Sequence, residues 1–251
     1  MRILAILFAL IVAQIGNAEL PASCSITDVG VAKKACFGSP SAFEYGHQIL
    51  GDTQEWGWIV LLKSKSVLSH KVVQMIEAPE DHIFEDIAPR FVFVSDKKQP
   101  NIMVVESHRT KGARLSLYDI PSGKHLASTP HIGTKFRWLA PIGAADLDRD
   151  GNVEVAFVDR PHLAKTLRVF TFKDNRLVEF TSLSGLTNHR IGEDFITGGI
   201  RQCESMSRPE MILVDANWKK VMGVTLQESG LVAREISDFN GQRSVRDARR
   251  C

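Results

Sequence analysis

The sequence predicts an all-β fold, a small β-propeller of four blades with about four antiparallel strands in each. Three observations lead there. No stretch carries a sustained helical period, while short β-rich runs recur between Gly, Pro, Asn and Asp. Segments of one shape repeat: "PNIMVVESHRTKGARLSLYDI" from Pro100, "NVEVAFVDRPHLAKTLRVFTF" from Asn152 and "PEMILVDANWKKVMGVTLQ" from Pro209 each read as strand, acid, short connection, strand. A fourth copy, "HQILGDTQEWGWIVLL", starts at His47. The acids that close the first strands, Asp52, Glu106, Asp159 and Asp215, recur roughly every 50–55 residues, a spacing that holds several short strands.

From the N-terminus, Arg2 precedes an apolar run, Ile3 to Ile15, broken only by Gln14, and Gly16-Asn17-Ala18 supplies small residues around a cut after Ala18. Residues 1–18 read as a secretory signal peptide, because about 13 apolar residues are too few to span a bilayer comfortably. Export and a periplasmic or secreted location follow, with no integral membrane segment after cleavage. Residues 19–45 form an N-terminal segment with Cys24 and Cys36. Cys203 and Cys251 complete an even set, which behind a signal peptide favours disulfides. The expected pairs are Cys24–Cys36, closing a short loop, and Cys203–Cys251, tying the last residue to the body.

The propeller is expected over 46–240. Blade two takes its strands A to D from 90–95, 101–106, 114–120 and 124–128. Blade three takes them from 140–146, 153–159, 167–172 and 176–181, and blade four from 195–201, 210–215, 221–227 and 231–236. In blade one, strands B to D fit 48–52, 58–63 and 71–76, and strand A comes from the 36–45 region or from the C-terminal tail. The alternative is five blades with one degenerate blade built from the ends. Pairing between N- and C-terminal segments would close the ring and remove an exposed sheet edge. The tail, 241–251, carries Arg243, Arg246, Arg249 and Arg250 and reads as a solvated basic end.

One A–B connection carries recognisable chemistry. In "DLDRDGNVE", Asp146, Asp148 and Asp150 occupy positions 1, 3 and 5, Gly151 permits a sharp turn, and Glu154 stands at position 9. Alternate carboxylates converge when the chain curls around one ion, and oxygen donors in this density suit Ca²⁺. An EF-hand needs Glu at position 12, which here is Phe157, and the chain runs on into a strand. A metal-free tight turn is the competing reading.

Asp-x-Asp-x-Asp-Gly-x-x-Glu between two blade strands resembles the FG-GAP or VCBS repeat of integrin-type propellers, including small secreted bacterial VCBS repeat-containing proteins. The resemblance covers roughly residues 40–240, and only blade three carries the motif in full. It implies one structural calcium ion held by Asp146, Asp148, Asp150 and Glu154, with the backbone oxygen of Asn152. The aligned stretches "SDKKQPN" and "CESMSRPE" in blades two and four lack those acids and are not expected to bind metal this way.

A second pattern lies in the D-to-A connectors, "HIFEDIAPRF" from His82, "HIGTKFRWLAP" from His131 and "HRIGEDFITGG" from His189. Propeller topology puts these connectors on the rim of the B–C turns, opposite the A–B loops. His108 and His162 follow the strand-B acids Glu106 and Asp159, and Arg137, Trp138, Arg160 and Arg190 lie in the same connections. Repeated features of this kind usually tie down loops. The less symmetric set, Asp159, Arg160, His162, His189 and Arg190, is the better candidate for ligand binding. The expected function is therefore an exported, calcium-stabilised binding or scaffold module, a monomer whose partner is an unknown protein, glycan or small molecule. A small propeller hydrolase or lyase using the His/Asp/Arg face is the alternative. No serine-hydrolase elbow, zinc-protease helix or phosphate-binding glycine loop occurs. Lys and Arg total 31 against 29 Asp and Glu, and no basic stripe interleaves with aromatics, so nucleic acid is not an expected partner.

Overall fold

The computed structural model describes residues 23–51, 54–65, 71–94 and 99–251. The expected signal peptide and Asp52 lie outside the described residues.

Four antiparallel sheets follow one another along the chain. The first joins β1 (Cys24–Ile26), β2 (Lys34–Phe37), β3 (Trp58–Leu62) and β4 (Val72–Glu77). In the second, β5 (His82–Phe84) and β6 (Arg90–Val92) share the edge of β7 (Asn101–His108), followed by β8 (Gly112–Asp119) and β9 (His125–Ser128). The third is β10 (Leu139–Ala145), β11 (Val153–Asp159), β12 (Thr166–Lys173) and β13 (Arg176–Ser184). The fourth repeats the split inner edge, with β14 (Leu186–Thr187) and β15 (Gly199–Arg201) on β16 (Glu210–Asp215), then β17 (Lys220–Gln227) and β18 (Gly230–Asp238). The fold is thus all-β and propeller-like, and the described residues contain no fifth blade.

Side-chain alternation explains the stacking. Along β7, Ile102 and Val104 face the first sheet, where they meet Phe37, Ile59 and Leu61. Met103 and Val105 face the third sheet and pack with Val155, Phe157 and Phe170. On β11, Ala156 and Val158 take the other side, against Met211, Leu213 and Val224 of the fourth sheet. Successive residues on a strand point to opposite faces, so inner strands buried on both sides read as continuous apolar runs. The last strands, β13 and β18, are largely exposed and carry Arg176, Glu179, Arg234 and Glu235, charges that suit an outer edge. The inner strands β1, β6, β10 and β15 line one central cavity of about 490 Å³.

Blade one departs from expectation. Residues 48–51 are not a strand; strand B is Lys34–Phe37 and strand A is Cys24–Ile26. Gln48 and Gly51 have φ of 49° and 69°, which breaks extended structure between Ile49 and Leu50, and those two side chains join the core between blades two and three. The 19–45 segment is therefore part of the first sheet. The expected exchange of strands between the chain ends is also corrected. Cys24–Ile26 pairs only with β2, and the tail forms a helix, α1 (Gln242–Ala248), that adds no strand. The helix lays Val245 and Ala248 over Ile212, Val214 and Val221, the outward face of blade four. Capping that apolar face removes the same water-exposed surface that a closing blade would cover.

Both expected disulfides are present. Cys24 and Cys36 are direct cross-strand partners on β1 and β2. Cys203–Cys251 fastens the end of the tail to the β15–β16 loop, with the two Cα atoms 5.5 Å apart. Disulfides suit an oxidising compartment. No helix among the described residues is long and apolar enough to cross a membrane.

Candidate functional site

The acidic loop joins β10 to β11, where Ala145 stands opposite Glu154 in the ladder. Leu147, fully buried, anchors the loop, and Arg149 and Gly151 take φ of 68° and 93° to turn it. Backbone N–H groups then orient the carboxylates. Asp146 Oδ2 accepts from Gly151 (3.2 Å), Asp148 Oδ1 from Asp150 (3.1 Å), and Glu154 Oε2 from Leu147 (2.9 Å). One oxygen each from Asp146, Asp148 and Glu154 falls within 4.8 Å of the others. That spread fits oxygens around one cation at 2.3–2.6 Å, the reach of Ca²⁺.

Two further observations fit a cation. Asp146 Oδ1 is buried and has no hydrogen-bond partner among the described residues. Glu154, 1% exposed, has its carboxyl pushed up to about 7 by burial, with the charges of Asp148 and Asp150 adding to the effect and the Leu147 N–H opposing it. A buried carboxyl facing like charges is short of a positive partner. Asp150 is placed differently: its Oδ1 accepts the Asn152 N–H (2.7 Å) and its Oδ2 the Asn152 amide (2.9 Å), which holds its carboxyl below the usual range. Three of the five expected ligand residues therefore converge, while Asp150 and Asn152 bond to one another at the loop's exposed tip.

The opposite rim lies at the other end of β11, where Leu139 pairs with Asp159; the two sites are about 20 Å apart along the strand. Here the strand-B acids serve the fold. Asp215 accepts N–H groups from Asn217, Lys219 and Lys220; burial would raise its pKa, but these bonds outweigh it and the net shift is downward. Glu106 binds Arg114 and the Tyr118 hydroxyl, and Asp159 binds Arg160 (2.7 Å) and Arg168 (3.4 Å). The connector histidines tie loops together. His82 Nδ1–H donates to the Glu80 carbonyl (2.8 Å), so its Nε2 accepts from His131 Nε2–H (3.1 Å). His108 Nδ1 caps its own turn by accepting from the Thr110 and Lys111 N–H groups.

The five rim candidates divide. His189 is fully buried, and its Nε2–H donates to the Glu193 carbonyl (2.9 Å), so its Nδ1 accepts from His162 Nε2–H (3.1 Å). Arg190 leaves the group, stacking its guanidinium 4.1 Å over the Trp218 ring. Asp159 is buried and its carboxylate is taken up by Arg160 and Arg168. The convergence that a hydrolase or lyase would need is limited to the His162–His189 pair.

Arg160 and His162 do line a rim cavity of about 320 Å³, together with His47, Ile49, Arg137 and Trp138. Sequence reasoning missed His47 and the residue beneath it, Glu85. Trp138 Nε1–H donates to the Glu85 backbone oxygen (2.9 Å), and the Glu85 carboxylate accepts from His47 Nδ1–H (2.7 Å) and from the Ser107 hydroxyl. Burial pushes the Glu85 carboxyl up, and His47 and Ser107 oppose that shift. His47 sits on the β2–β3 connection, at the start of the stretch expected as a blade-one strand and apart from the connector histidines, so no spacing signal pointed to it as a rim residue.

No family model matches this chain. No curated protein matches it either.

Proposed function

We propose that this protein is an exported, calcium-stabilised β-propeller of the FG-GAP/VCBS type that acts as a binding or scaffold module. The acidic loop carries the reading: Asp146, Asp148 and Glu154 converge while one Asp146 oxygen stays buried and unpartnered among the described residues. A calcium ion there neutralises repulsion among the carboxylates and fixes the β10–β11 hairpin. The role proposed is structural, because the ion would sit between the two strands of one hairpin. Two disulfides and the apolar N-terminal run with its small-residue cut support export. Isothermal titration of the mature protein with Ca²⁺ tests the site. Wild type is expected to bind one ion and gain thermal stability, and Asp148→Ala to lose both. A wild type that gives neither heat nor stabilisation removes the calcium reading.

A further inference from the structure

The rim cavity combines features that nothing in the fold consumes. Its floor is apolar, with Ile49 and Trp138 buried, and its mouth carries Phe136, Leu163 and Ile191, exposed by 41%, 62% and 71%. Single exposed apolar residues are ordinary on a protein surface, but three around one opening form a patch of the kind ligand pockets present. Two arginines line the same space. Arg160 is held in place by Asp159, whereas Arg137, half-buried, has no side-chain hydrogen bond or ion pair among the described residues. Lys135 lies 4.5 Å over the Phe136 ring at the edge, adding positive charge. The acids nearby are committed, Asp159 to two arginines and Glu85 to His47 and Ser107.

The hydrogen-bonding inventory narrows the ligand. His162 is tied to His189 through Nε2, with the His189 backbone also in reach of the ring, and a neutral imidazole bonded this way presents its second nitrogen, Nδ1, as a lone-pair acceptor. Burial, then the nearby His189, holds His162 down to about 4, so it is neutral at pH 7 and keeps that acceptor. A complementary molecule offers an anion to the arginines, a flat apolar body to Trp138 and Phe136, and one O–H or N–H donor to the imidazole.

We infer that this cavity binds a small aryl carboxylate bearing a hydroxyl or N–H group, its carboxylate held by Arg137 and Arg160 and its donor group by His162. This deepens the binding-module reading by naming a ligand class. The volume accommodates a one-ring ligand, and a carboxylate–guanidinium pair supplies both charge and fixed geometry.

The test uses 4-hydroxyphenylacetate, phenylacetate and 4-hydroxyphenylacetamide as probes, titrated by calorimetry and followed by ligand-observed NMR. The hydroxylated acid is expected to bind tightest, and the amide at least about tenfold more weakly, because a charged hydrogen-bond pair is lost. Arg137→Ala is expected to lower affinity for the acid by about tenfold or more with an unchanged melting temperature, since the guanidinium supports nothing else. Leu163→Glu, an exposed rim substitution, is expected to weaken the acid and spare the amide. Equal binding of acid and amide, an Arg137→Ala protein with wild-type affinity, or no saturation below about 10 mM for either acid overturns the inference. Each titration is run in calcium and in chelator. The calcium site is read by its own heat at the far end of β11, so failure of the carboxylate titration and failure of the calcium reading are separately visible.

Discussion

Replacing Glu154 with Gln is expected to stabilise the chelator-treated protein above neutral pH and to abolish its response to calcium. Glu154 is 1% exposed, and its carboxyl is pushed from its ordinary 4.5 up to about 7 by burial and by Asp148 and Asp150. Between those values the folded chain retains a proton that the unfolded chain has released. Stability therefore falls as pH rises from 4.5 to about 7. The gap corresponds to about 3 kcal/mol, fully lost at pH 8 when no cation is present. Gln keeps the shape and removes the titration, so Glu154→Gln stays flat across the window. Calcium nearly closes that gap, because an ion at a hundredfold excess over its Kd adds about 2.7 kcal/mol to the wild type alone.

Urea unfolding followed by tryptophan fluorescence, at about pH 5 and about pH 8, in EGTA or in calcium, measures all the terms. The difference between the two proteins is the informative quantity. Half-buried imidazoles such as His131 and His162, both lowered to about 4 by burial and nearby positive groups, contribute stability that rises with pH, and they do so in both proteins. Parallel pH profiles in EGTA, or full calcium stabilisation of Glu154→Gln, refute the reasoning.

Two further outcomes bear on the fold. Replacing Cys203 and Cys251 together by Ser opens a crosslink 48 residues long and is expected to cost up to about 4 kcal/mol; protease sensitivity of α1 at temperatures where wild type resists reads this directly. Gly198→Ala is expected to destabilise by about 2 kcal/mol or more in urea titrations, because Gly198 has φ of 118° and an added Cβ collides with the Ile212 carbonyl; a wild-type midpoint contradicts the assignment of the β15–β16 register.

The legible parts of this protein are those whose signal is local. In blades two to four the B, C and D strands fall where alternation and turn residues put them, because a strand buried on both faces writes an apolar run into consecutive residues, whereas the inner edges of blades two and four are split and place β5 and β14 in segments expected as connectors. Blade one was misread because "HQILGD" carries the composition of a strand. Only the positive φ at Gln48 and Gly51 and the burial of Ile49 and Leu50 in another interface reveal a turn. The tail looked like a solvated basic end, since two apolar residues, Val245 and Ala248, suffice to seat α1 once the face of blade four is there to receive them.

The candidate sites divide the same way. Carboxylate spacing in 146–154 is a contiguous pattern, so an acidic loop that could hold a cation was legible in the chain alone. Which carboxylates converge, and that Asp150 turns instead to Asn152, depended on loop torsions. The rim required more. His47 shares a cavity with His162 and Trp138 only because three separate connections meet where the blades pack, and Arg190 leaves them because Trp218 offers its ring. The sequence by itself determined strand content, the paired cysteines and the acidic loop, each set by neighbours within a few residues. Tertiary packing alone decided how the ends are capped and which side chains share a cavity, because those contacts join segments whose separation along the chain carries no periodic trace.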